Sequence, residues 1–132
     1  MKLRRVALDS IIAHAQREAP HECCGLLVGG GDCIADAVPA RNVCDSPTRY
    51  RIDPTDHFAT IRRVRQEGRA IIGAYHSHPA SPATPSPTDI AEAFDQQFLH
   101  VIVSLRDARR ADVRAYRIGN GTFQEVPLIT VP

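Results

Sequence analysis

Two histidines two positions apart, and a serine and an aspartate further along, are the first groups in this sequence that could do chemistry together. They occur as GAYHSHP and, after six residues, SPTD. His76 and His78 close an apolar segment, residues 70–75, that has the length and composition of a strand. On a strand, side chains at i and i+2 project from the same face, with Cα atoms about 6.6 Å apart. Two imidazoles so placed can converge on one metal ion, at about 2.0–2.1 Å from each nitrogen. Taken alone, the pair is equally a pair of surface or hydrogen-bonded histidines. Ser86-Pro87-Thr88-Asp89 has an N-cap residue, proline at the first helical position and an acid at the third, close to a capping box. Its plain reading is that Ser86 and Asp89 cap a helix. Asp89, however, follows His78 by eleven residues, and a compact loop would return it to the histidines. It would then supply an oxygen ligand to a His₂Asp site, leaving one position for water, as a catalytic zinc requires.

Such a site also needs a base. Glu22 stands at the head of the apolar run ECCGLLVGG. An ordinary solvated acid at a strand start is the plain alternative. If that strand lies beside the one carrying His76, Glu22 can take a proton from water and later hand it to a leaving amine.

The elements that must position these groups follow from periodicity and turn chemistry. Leu8, Ile11, Ile12, Ala15 and Ala19 form a helical stripe over residues 8–19, ended by Pro20. Gly29, Gly30, Gly31 and Asp32 turn ECCGLLVGG into a returning strand, whose Pro39 marks an edge or a bulge. Asp53 and Pro54 start a second helix, ended by Gly68, with Phe58, Ile61 and Val64 expected on its buried face. A third helix starts near Pro87 and runs through Ile90, Ala93 and Phe94. HVIVSL is the most apolar strand and is expected at the centre of the sheet. ADVRAYRI and TFQEVPLITV supply further strands, separated by the hairpin turn Gly119-Asn120-Gly121. The pattern predicts an α/β (α+β-like) fold, a mixed sheet with helices, in a single domain over residues 1–132.

Composition narrows the function classes. A chain of 132 residues buries about two-thirds of its unfolded surface, enough for a core without staples. Sixteen basic residues against fifteen acidic ones argue against a protein built to grip nucleic acid. No stretch approaches the length of a membrane-spanning helix, and the N-terminal segment is a poor signal-peptide core, so a cytoplasmic location is expected. Cys23, Cys24, Cys33 and Cys44 do not follow zinc-knuckle spacing and read as cytosolic thiols, Cys23 and Cys24 as small buried side chains. His14, on a polar or boundary helix face, His57 and His100 are expected to be structural or exposed. His21 is expected on the face opposite Glu22.

PHECCGLLVGG, GAYHSHP and SPTD, in that order, resemble the pattern of the JAMM (MPN+) zinc metallopeptidases. The resemblance implies a curved mixed β-sheet flanked by helices, of the JAMM/MPN, cytidine-deaminase-like type. It assigns the general acid/base to Glu22, zinc ligands to His76, His78 and Asp89, and the oxyanion-assisting hydroxyl to Ser86. Ser77 matches the small hydroxyl residue usual between the two histidines. The activity implied is hydrolysis of an amide bond after the C-terminal Gly-Gly of a ubiquitin-like or sulfur carrier protein, by Glu-assisted attack of zinc-bound water. The bond is that of a C-terminal extension, a carrier–cysteine adduct or an isopeptide. The chain has little room for the insertions with which the longer isopeptidases grip ubiquitin. A small-molecule amidohydrolase with the same Zn²⁺ site and a non-catalytic MPN-type scaffold are the alternatives. The scaffold has no need to retain all five polar residues. A homodimer is left open.

Overall fold

The computed structural model describes residues 1–132. Eight strands and three helices follow one another as β1 (Lys2–Arg4), α1 (Arg5–Glu18), β2 (Cys24–Gly30), β3 (Cys33–Ala40), α2 (Pro54–Gln66), β4 (Ala70–His78), α3 (Pro87–Glu92), β5 (Leu99–Ser104), β6 (Asp112–Gly119), β7 (Thr122–Val126) and β8 (Ile129–Val131). The strands form one mixed sheet in the order β7-β6-β5-β4-β2-β3-β1-β8. The register slips by one residue between β2 and each of its neighbours, leaving Ala35 of β3 and Ile72 of β4 as the extra, bulged residues, and bulges bend a sheet.

β4 lies in the middle of this sheet, antiparallel to β2 and parallel to β5. Its alternation divides the protein into two faces. Tyr75 joins Leu27, Val101 and Val103 in the larger core, against Ala7, Ile11 and Ala15 of α1. The opposite face of the strand carries Ala74, His76 and His78. On the neighbouring strands a smaller core of Ile102, Tyr116 and Ile118 packs with Ala83, Ile90 and Ala93. The chain therefore builds its stability on one face and leaves the second, at the end of β4, for the polar groups. The expected central strand is found as β5, between β4 and β6. The turn after β6 has Asn120 and Gly121 at φ 53° and 72°, as a tight hairpin with two left-handed residues demands. Pro39 sits where β3 is a sheet edge, because β1 pairs only with Cys33 and Ile34.

Three expectations need correction. α1 begins at Arg5 rather than residue 8, and His14, of the structural and exposed alternatives, takes the structural one, buried in the core rather than on a polar or boundary face. A hydrogen bond of 2.8 Å between His14 Nδ1 and the Tyr75 hydroxyl makes that burial tolerable. In α2 the buried residues are Thr60 and Val64, four apart, while Phe58 is 67% exposed. Thr60 can be buried because its hydroxyl donates to the Asp56 carbonyl at 2.9 Å. α3 stops at Glu92, and Phe94 beyond it is 96% exposed. The other assignments at these helices hold: Asp53 Oδ1 accepts from Thr55 N at 3.0 Å, with Pro54 in the first turn.

Gly73 sets the spacing of β4 and β5. A Cβ there would run into the backbone carbonyl of Leu99, its register partner, and a backbone atom cannot step aside cheaply. Gly73→Ala is expected to cost roughly 3 kcal/mol or more, at the upper end for overpacking, measured as a shift in denaturant midpoint.

Candidate active site

The site forms where β4 ends and the chain returns through α3. β4 continues through both histidines, and β2 pairs with it so that Cys24 lies opposite His76. The residues preceding β2 are fastened to β4 as well. Cys23 N donates to the Ser77 hydroxyl at 2.8 Å, and Ser77 N donates to the Cys23 carbonyl at 3.1 Å. Ser77 thus points away from the histidines and ties the segment bearing Glu22 to the strand bearing them.

The loop after β4 is held at three consecutive carbonyls. Ser104 donates to Ser81 at 2.6 Å, His78 Nδ1 to Pro82 at 2.7 Å, and the Tyr116 hydroxyl to Ala83. This returns the chain to Ser86, where a complete capping box starts α3. The Ser86 hydroxyl accepts from Asp89 N at 3.0 Å, and Asp89 Oδ2 accepts from Ser86 N at 2.9 Å.

His76 Nε2, His78 Nε2 and Asp89 Oδ2 then form a triangle with all three sides 3.2 Å. Nitrogen and oxygen ligands at about 2.0–2.1 Å in tetrahedral array stand about 3.3 Å apart, so the triangle has the size of one face of such a site. The donor chemistry fits too. The Pro82 carbonyl can only accept, so the His78 proton on Nδ1 is placed there, and the Nε2 lone pair of the neutral ring faces the cluster. The three residues form a potential metal-binding triad of two imidazoles and a carboxylate. A ring of Tyr50 stacks on the His76 imidazole, with centroids 4.3 Å apart and planes 17° from parallel. Burial holds the His76 pKa below the ordinary value. For His78, burial acts in the same direction but is outweighed by Asp89 and the Pro82 carbonyl, so its pKa rises. Burial likewise works to raise the Asp89 carboxyl, yet the two histidines and Ser86 N hold it well below the usual carboxylate range.

Glu22 is buried, 5% exposed, just before β2. Its pKa is raised to about 7, chiefly by burial, with Asp89 pushing the same way and His78 opposing. The carboxyl therefore senses two members of the triad. Since the folded pKa lies above the ordinary 4.5, ionising Glu22 costs stability as pH rises from about 4.5 through about 7. In metal-free protein, Glu22→Gln is expected to match wild type below pH 4.5 and to exceed it above pH 7 by on the order of 3 kcal/mol. Urea titrations across that range check it; a constant difference between the two proteins would contradict it.

His21 does not join the cluster; it is exposed and lies 3.5 Å from Asp45. His57 and His100 line an apolar cleft of about 390 Å³ with Leu26, Tyr50, Ala74 and Phe98. Ala74 is two residues before His76, so the cleft continues along the same face of the sheet. His100 is half-buried and packs edge-on against Phe98. All four cysteines are free, Cys23 and Cys24 buried, Cys44 exposed. Sequence reasoning missed Tyr50 and Asn42, both in the segment between β3 and α2. Neither residue type signals a site by itself, and their contacts span long sequence separations.

A mixed sheet that presents two imidazoles from a central strand, a carboxylate from the following helix and a buried acid nearby defines a class of metal-dependent hydrolases. Residues 4–119 match the model for prokaryotic homologs of the JAB domain, and the chain belongs to that family. The CysO-cysteine peptidase of Mycobacterium tuberculosis is 36% identical over 131 residues, spanning 98% of this chain and 90% of that protein. The solution structure of protein DSY2949 from Desulfitobacterium hafniense superposes with a TM-score of 0.90 at 30% identity, covering 98% of this chain and 92% of the other. The JAB1/MPN domain protein AF2198 of Archaeoglobus fulgidus has the same fold, with a TM-score of 0.65, 24% identity and full coverage of both chains. The fold is thus of the JAMM/MPN type, and the chain is a hydrolase of the metallopeptidase kind. None of its helices is long and apolar enough to cross a membrane.

Proposed function

We propose that the protein is a zinc peptidase that hydrolyses the amide bond following the C-terminal Gly-Gly of a ubiquitin-like sulfur carrier, with a carrier–cysteine adduct as its substrate. The observation that carries the reading is the triangle of His76, His78 and Asp89, whose donor types and 3.2 Å sides suit zinc. The full-length similarity to a CysO-cysteine peptidase supports the choice of substrate. Zinc held there would polarise the scissile carbonyl and lower the pKa of water.

The remaining chemistry belongs to the chain. Glu22 takes the proton of the attacking water and delivers it to the departing amine; burial, which raises its pKa above the ordinary carboxylate value, makes it a better proton acceptor than a solvated acid. The Ser86 hydroxyl already accepts the Asp89 N–H, which leaves its own proton free to donate toward the developing oxyanion. Pro82 fixes the tautomer and plane of His78, and Tyr50 limits rotation of His76.

Mass spectrometry of carriers incubated with zinc-loaded protein tests the reading. The set comprises carrier–cysteine adducts, C-terminally extended carriers, isopeptide conjugates and small glycyl amides. Release of cysteine, leaving a free Gly-Gly terminus, is the expected outcome. Cleavage of small amides as fast as of the carrier adduct would instead make the protein a small-molecule amidohydrolase.

A further inference from the structure

Asn42 lies just beyond β3, bridged to Ile52 across the segment that precedes α2. Its side-chain amide uses every hydrogen-bonding position it has. Nδ2 donates to the carbonyls of Glu22 and Arg49, each at 3.0 Å. Oδ1 accepts from Cys44 N at 3.0 Å and from Arg51 N at 2.9 Å. Reversing the amide would set its NH₂ against two N–H groups and its oxygen against two carbonyls, so its orientation is fixed.

The identity of the four partners matters. Arg49 and Arg51 flank Tyr50, the residue whose ring stacks on His76. The Glu22 carbonyl belongs to the residue proposed as acid/base. The same segment grips Glu22 a second time, because Glu22 N donates to the Ser46 carbonyl at 2.7 Å. One side chain therefore spans the backbone of Glu22 and both neighbours of Tyr50. No other standard side chain of this length offers two donors and two acceptors in one plane.

We infer that Asn42 is a positioning residue for the site, which through its four hydrogen bonds sets the backbone of Glu22 and the Tyr50 ring on His76 in one fixed relation. This rests on the proposed roles of Glu22 and His76. It goes beyond them by assigning the alignment of base and ligand to a residue outside the metal triad. Removing Asn42 frees Tyr50 to leave the imidazole face and lets Glu22 shift; displacements of about 1 Å at such a group cost roughly 10²-fold in rate.

The test uses the full chain as wild type, Asn42→Ala, Asn42→Asp, Tyr50→Leu and the Asn42→Ala/Tyr50→Leu double variant. The first measurement is made on metal-free protein, by NMR of the imidazole carbon-bound protons, with His76 assigned by their loss in His76→Gln. Ring current from Tyr50 shifts the His76 signals upfield in wild type. Tyr50→Leu abolishes this shift, and Asn42→Ala is expected to abolish most of it with the tyrosine still present. Asn42→Asp keeps the bonds to the Cys44 and Arg51 N–H groups but sets a carboxylate oxygen against two carbonyls, and is expected to move the signals the same way by a smaller amount. It decides the matter if Asn42→Ala fails to fold. His76 signals at wild-type positions in the folded Asn42 variants would overturn the inference.

The second measurement is kinetic, on the carrier adduct. Asn42→Ala should lower kcat roughly 10–10²-fold with KM little changed. The double variant should lose no more than the larger single loss. Losses that multiply would overturn the route through Tyr50. Failure of wild type to cleave any carrier would refute the proposed function, while the NMR result would still decide whether Asn42 places Tyr50 on His76.

Discussion

Replacing Glu22 by Gln is expected to lower turnover on the carrier adduct by roughly 10²–10⁴-fold, the usual worth of a positioned acid/base, while zinc content stays near one per chain. Gln keeps the size of Glu and one carbonyl oxygen but cannot accept a proton at neutral pH. Glu22 lies outside the triangle of triad donor atoms, so its loss should spare metal retention. The decrease should appear in kcat and kcat/KM together, because proton transfer matters in the transition state rather than in the bound ground state. Since the metal-free carboxyl has a pKa of about 7, the acid limb of the wild-type rate profile should vanish in the variant, a metal cation moving that limb to lower pH. Loss of zinc from Glu22→Gln would make Glu22 a ligand or an anchor of one. Retention of both zinc and full turnover would return it to an ordinary buried acid.

Removing a member of the triad should have the opposite signature. His76→Ala, His78→Ala and Asp89→Ala each delete one corner of the 3.2 Å triangle. Each should weaken zinc binding by well over the roughly 10–10²-fold that loss of an outer partner costs, and abolish turnover with it. Asp89 carries a second duty in the capping box, so its variant needs a control. Ser86→Ala breaks the same box at the N-cap, at a cost of about 1 kcal/mol in stability, yet should keep its zinc. Asp89→Ser retains a polar side chain in the first helical turn and should still lose the metal. Metal analysis after gel filtration separates these cases. Full zinc retention by all three triad variants would contradict the site.

The parts of the site that were legible in the sequence are those with short-range rules. His76 and His78 share a face because a strand alternates, and Ser86 and Asp89 make a capping box because a helix start requires one. The return of Asp89 to the histidines depended on a compact loop, which the structure provides through three anchored carbonyls. Glu22 is different. It reaches the triad only because Cys24 registers opposite His76, a pairing across more than fifty residues that no local pattern encodes. Its place at the head of an apolar strand made Glu22 a candidate on the condition that this strand lies beside that of His76, and the family resemblance implied the role. Asn42 and Tyr50 were invisible for the same reason. The errors in α2 and α3 are of another kind. Phe58, Ile61 and Val64 have helical spacing, but α2 meets the protein through Thr60 and Val64, and a satisfied hydroxyl proved easier to bury there than a phenyl ring. Apolar spacing names a stripe without fixing which neighbour covers it. The central place of β5 was readable because a strand buried on both faces needs an apolar run, and HVIVSL is one.

The proposed reaction is hydrolysis of a Gly-Gly-linked amide by the zinc form of this protein with Glu22 as base. Its most direct test is digestion of a carrier–cysteine adduct in ¹⁸O-labelled water, followed by mass spectrometry of the intact carrier. Zinc-loaded wild type should release free cysteine and leave one solvent oxygen in the new C-terminal carboxylate, while chelated wild type and zinc-loaded Glu22→Gln leave the adduct almost untouched. Release of cysteine at the wild-type rate by the chelated protein or by Glu22→Gln, or an adduct that survives the zinc form intact, would contradict it.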